Sequence, residues 1–87
     1  MHAVVVTLTI TDSAAAERAV NEQLVPRVSQ APGFITGYWT AKGDAAVSMF
    51  IFETEQAAQG MSEAAAVWVL DGVTLDRIAV HEVIAQA

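Results

Sequence analysis

His2 and His81 are the only histidines in this sequence, and histidine is the side chain that exchanges a proton near neutral pH without help from its surroundings. His2 sits at the chain end, so His81 is the candidate for acid–base work. Glu82 follows it directly but cannot be its partner, because neighbours in an extended strand point to opposite faces. A histidine on an edge strand, partly exposed or bonded across an interface, explains His81 equally well without chemistry. Tyr38 is the second catalytic candidate. It adjoins Trp39, and in a strand one of the pair must join a core or interface while the other is free to wall a cleft. A planar aromatic ligand is held by such walls, although burial of aromatic area accounts for both residues unaided. Trp68 either closes the mouth of a cavity or plugs the end of the core. Thr7, with Thr9 and Ser48, places hydroxyls where a polar ligand atom, a backbone group or water could take them. Trp39, Trp68 and Thr7 are therefore the ligand-binding candidates.

Other chemistries find no footing. The chain has no cysteine, which removes disulfides, thiolate metal sites and a cysteine nucleophile. No two of His2, His81 and the carboxylates share a face at ligand spacing, so no metal site is expected. No glycine-rich phosphate loop or serine–histidine–acid arrangement can be read. Arg27 and Arg77 could orient an anion, but rim ion pairs with the many acids are the simpler expectation.

Composition bounds the rest. Eighty-seven residues make one domain. Four cations against ten acids, a net charge of −6, disfavour nucleic acid and anionic membranes as partners. The start, Met1-His2-Ala3-Val4-Val5-Val6, lacks a basic segment and reads as a strand, not a signal peptide. Nothing approaches a transmembrane span, and the cytoplasm is the default location. The chain is 54% hydrophobic and 16% charged, more apolar than one thin core can hide.

The elements that must position the candidates follow from periodicity. Val4–Ile10 predicts a first strand. Asp12 or Ser13 caps a helix whose Ala16, Val20, Leu24 and Val28 form one apolar stripe, and Pro26 should kink or restart it. Strand two spans Phe34–Lys42, Gly43-Asp44 turns the chain, and strand three spans Ala46–Glu53. A second helix opens near Thr54, carrying Ala58, Met61 and Ala65 inward. Strand four runs from Leu75 to Ala85. The order β-α-β-β-α-β predicts a ferredoxin-like α+β fold: a four-stranded antiparallel sheet with both helices on one face. Strands one and three lie in its middle, and both of their faces are apolar or small. Since helices cover only one face, the other is expected to pack against a second copy, making a homodimer.

Three stretches resemble the dimeric α+β barrel superfamily, and within it the small antibiotic-biosynthesis-monooxygenase-like proteins. They are Val25-Pro26-Arg27-Val28-Ser29-Gln30-Ala31-Pro32-Gly33-Phe34, Phe52-Glu53-Thr54-Glu55-Gln56-Ala57-Ala58 and Val80-His81-Glu82-Val83. The resemblance implies dimerisation through the sheets and either of two chemistries. One is cofactor-independent oxidation of polycyclic phenols or quinols between sheet and helices. The other is haem degradation, with an asparagine on the first strand, a tryptophan and a histidine on the second helix. The only asparagine here is Asn21, on the first helix, and both histidines fall in or beside strands, so haem degradation is disfavoured and no cofactor is expected. The resulting expectation is a monooxygenase-like enzyme for a small hydrophobic or aromatic molecule, with Tyr38, Trp39, Trp68 and His81 as residues to test. The alternative is a non-catalytic module that binds a small ligand or only dimerises.

Overall fold

Alternation sets the sheet. Along Val4–Ile10 the even positions are Val4, Val6, Leu8 and Ile10, and a strand must place them together on one face. In the computed structural model, which describes Met1–Ala87, this is strand β1 (His2–Ile10). It is followed by helix α1 (Ser13–Ala19), a π-helical turn (Val20–Leu24), helix α2 (Val25–Ser29), strands β2 (Phe34–Lys42) and β3 (Ala45–Phe52), helix α3 (Glu55–Ala65) and strand β4 (Val73–Glu82). The sheet order is β2-β3-β1-β4 and every neighbouring pair is antiparallel. The expected fold is therefore present, with β1 and β3 central. No helix is long and apolar enough to cross a membrane.

One face of the sheet carries the core. Val4 and Val6 of β1 and Phe50 and Phe52 of β3 pack with Val28, Ala58 and Met61 from the helices. Phe34 meets Phe52 edge-on, with ring centroids 5.9 Å apart. Asp12 caps α1 by accepting from the Ala15 N–H, and Thr54 caps α3 by accepting from that of Ala57, each at 3.1 Å. The core is thin: 12 of the 87 residues are buried, so each must be well packed for the domain to hold.

The first helix departs from ideal geometry where Pro26 requires it. Proline has no N–H to give the Glu22 carbonyl. The turn just before it widens, with the Val25 N–H reaching back to the Val20 carbonyl, and α2 restarts with Pro26 in its first turn. Such π turns recur at functional sites. The second helix ends at Ala65, short of Trp68. Strand four starts at Val73 and stops at Glu82, two residues earlier and three residues earlier than Leu75–Ala85 implied. Gly72 turns straight into the strand, and the ladder stops where β1 begins, at His2 opposite Glu82.

Gly43 (φ +63°) opens the two-residue β2–β3 hairpin, the position that needs a left-handed backbone in a type II′ turn. Gly72 (φ +82°) is more constrained. A Cβ there would lie 2.5 Å from the Asp12 carbonyl oxygen and 2.6 Å from the Ala16 nitrogen. Gly72→Ala should therefore destabilise the protein by about 2 kcal/mol or more. Gly60, on the exposed side of α3 with open space around it, should gain about 0.5–1 kcal/mol on mutation to alanine. Urea unfolding of the two variants checks both signs.

Candidate functional site

Helix α1 meets the sheet through alanines. Ala16 and Ala19 are both buried, yet a methyl group reaches only a short way from the helix axis. The π turn then carries Val20 and Leu24 onward along a widened path. The space left between this helix and the upper sheet is a cavity of about 480 Å³, within the range that takes small organic ligands. Leu8 and Ile10 of β1, Trp39 of β2 and Ser48 of β3 form its floor, and Leu70 and Val73 close one end.

The polar groups on these walls are few. Ser48 is directly opposite Trp39 across the β2–β3 ladder, so an indole and a hydroxyl sit side by side on the floor. The Trp39 ring leans on Phe50, centroids 5.2 Å apart at 43°. Its Nε1–H is buried without an acceptor, a deficit that costs about 1–3 kcal/mol where nothing satisfies it. Asn21 and Glu17 stand at the exposed helix side. The Asn21 amide donates to the Glu17 carbonyl at 2.9 Å, which leaves its own oxygen free to accept. Apolar walls with a few placed donors and acceptors can orient a flat hydrophobic molecule by one or two oxygens.

The sheet divides the candidates named from sequence. Trp39 lines this cavity. Trp68 lies on the same side, over a smaller pocket beneath α3, and Arg27 covers its ring at 5.5 Å. Arg27 thus stacks on an aromatic where a rim ion pair was expected. Tyr38, Thr7 and His81 lie on the other face. Cross-strand register there gives three rows: Tyr38, Met49, Val5, Ala79; Thr40, Val47, Thr7, Arg77; and Thr36, Ile51, Ala3, His81. Tyr38 and His81 stand on opposite edge strands and two residues out of register, about 16 Å apart from three inter-strand spacings and two residue rises, so within one chain they do not act on one atom. The Thr7 hydroxyl donates to the Arg77 carbonyl at 3.5 Å, and Thr9 donates to Asp76 at 2.7 Å. His2 pairs through Nε2 with Glu55 at 3.3 Å, tying the start of β1 to the start of α3. No three ligating side chains gather anywhere.

A pocket between sheet and helices is what the family resemblance implies; its position against α1, and the helix residues that line it, were not named from sequence. Its signal is Ala16 and Ala19, followed by Pro26: small residues on the inward stripe of a helix that cannot continue straight. Leu70 was missed as well, because its place at the cavity end depends on where α3 stops.

No family model matches the chain, and no curated protein matches it in sequence. Two solved structures share its fold over nearly its whole length. SnoaB, a cofactor-independent oxygenase from Streptomyces nogalater, is similar with a TM-score of 0.65 at 16% identity, covering 98% of this chain and 95% of that one. The monooxygenase from the ActVA-Orf6 gene of Streptomyces coelicolor, in complex with Nanaomycin D, has a TM-score of 0.62 at 18% identity, covering 99% of this chain and 89% of that one. At these identities the likeness establishes the ferredoxin-like α+β fold.

The open volume predicts an asymmetry between two buried alanines. Ala19→Leu points into the cavity and should change stability by less than about 1 kcal/mol. Ala58→Leu enters the packed core, where Ala58 has no exposure, and should cost about 2 kcal/mol or more. Equal penalties in urea unfolding would show that the cavity closes in solution.

Proposed function

We propose that the cavity between the first helix and the sheet is the substrate site of a cofactor-independent, monooxygenase-like enzyme for a small hydrophobic aromatic molecule. The observation that carries this is the cavity: about 480 Å³, with apolar walls and a floor where the Trp39 indole stands beside the Ser48 hydroxyl. The shared fold with a cofactor-independent oxygenase and with a monooxygenase crystallised with Nanaomycin D supports the same reading.

The chemistry suits what the walls offer. A phenol with a methylene between its rings becomes electron-rich on losing a proton and can itself reduce dioxygen. The methylene carbon loses two hydrogens and gains one oxygen to become a carbonyl. The second oxygen atom leaves with those hydrogens as water, so the oxidant is dioxygen and no external reductant is needed. In this scheme Trp39 supplies a flat wall, and Ser48 a hydroxyl to hold the phenolic oxygen. Leu8, Ile10 and Val20 keep water out, so that a charged intermediate is held by fixed dipoles.

The open sheet face belongs to the same proposal. Met49 and Val47 are 39% and 43% exposed there, and Tyr38 is 61% exposed. With Val5, Ile51 and Ala79 they form an apolar strip framed by threonines on β2 and by Arg77 and His81 on β4. An apolar centre with a polar rim is interface anatomy, and a second copy of the same face covers it. Tyr38, His81 and Thr7 then serve the dimer.

Oxygen uptake with 1,8-dihydroxyanthrone tests the chemistry. One dioxygen should be consumed per quinone formed, faster than the spontaneous reaction, and Trp39→Ala should lower the rate at least tenfold with the fold retained. Binding of the anthrone without uptake would identify a ligand-holding module instead. Size-exclusion chromatography tests the dimer: the wild type should elute as two copies and Met49→Lys as one. A monomeric wild type would remove the dimer from the proposal.

A further inference from the structure

A second pocket adjoins the cavity. It measures about 50 Å³ and shares Leu8, Leu24, Ser48, Leu70 and Val73 with the larger space. Its own walls are Val6, Phe50, Ala65, Trp68 and Leu75, under the end of α3. Trp68 forms one side, held by the Arg27 guanidinium 5.5 Å above its ring.

Size and polarity restrict the occupant. A cavity of about 150 Å³ holds a benzene ring, so 50 Å³ excludes an aromatic substrate or a large part of one. Every wall residue except Ser48 is apolar. Water needs two to four polar partners to be held, and one hydroxyl does not supply them. A diatomic apolar molecule meets both limits. The position is equally selective, because a molecule here is separated from the substrate cavity only by side chains common to both.

We infer that this pocket is a dioxygen site, which stores the oxidant beside the bound substrate until the two react. The inference rests on the oxygenase reading above. It concerns binding alone, and no bond is made or broken in the pocket.

Xenon is the probe, being apolar, of suitable size and visible in diffraction. Crystals of the wild-type protein pressurised with xenon should show an atom bounded by Phe50, Ala65 and Trp68. Ala65→Leu should abolish it, and Ala65→Val, a smaller change, should weaken it. With 1,8-dihydroxyanthrone as substrate, Ala65→Leu should raise the KM for dioxygen at least fivefold with little change in the KM for the anthrone. Ala19→Leu, in the large cavity, should do the reverse and leave xenon in place. No xenon in the wild type, or turnover whose KM for dioxygen ignores Ala65→Leu and Ala65→Val, would overturn the dioxygen site and leave the oxygenase reading standing. Xenon in the pocket of a protein that consumes no oxygen would overturn the oxygenase reading, and dioxygen as occupant with it.

Discussion

The structure depends on a shortage of cover. One four-stranded sheet has two faces, and the helices lie on one of them. The covered face spends its largest side chains, Phe50 and Phe52, on a thin core. The uncovered face carries Val5, Val47, Met49 and Ile51 in its middle strands, where a free-standing domain of this size would place polar residues. At about 25 cal/mol per Å², a few hundred Å² of such surface left in water forgoes several kcal/mol, a large share of the stability of a small domain. The domain is thus built around a face it does not finish by itself.

The same economy of side chains opens the cavity. A helix that presented leucines where Ala16 and Ala19 stand would fill the space above Trp39 and Ser48. With methyl groups there, and with Pro26 forcing the wider turn at Val20–Leu24, helix and sheet diverge at one end and stay in contact at the other. The tight end, around Val28, Phe52 and Ala58, has no exposure and holds the fold together. The loose end is where the cavity opens. The packed and the open parts are therefore separated along one helical segment, and the proline marks the border between them.

Much of this was legible in the chain because periodicity fixes faces. The period-two patterns of the strands, the four-residue stripe Ala16, Val20, Leu24, Val28 and the turn at Gly43-Asp44 were together enough for the element order, the central strands and the bare face. The site was harder to read. Adjacent Tyr38 and Trp39 had to face opposite ways, yet which one faced the helices depended on the register of β2 against β3, shifted by the irregularity between Phe34 and Thr36. His81 and Thr7 looked like chemistry by residue type, and register placed both on the uncovered face. A void has no residue of its own, so only the alanines around it could have announced it. Arg27 found an aromatic ring where the abundance of acids pointed to an ion pair, because Trp68 sits off the end of a helix whose last turn the pattern did not fix.

The Gly72 carbonyl accepts from both the Thr11 and the Asp12 N–H, at 2.8 and 3.2 Å. The segment bearing Leu70, which closes one end of the cavity, is thereby bolted to the N-cap of α1, the helix that forms its side. Those two walls cannot swing apart as lid and frame. Parting them would require both of these backbone bonds to break. The amides of Thr11 and Asp12 are consequently the places where a parting of these two walls would be recorded by hydrogen exchange.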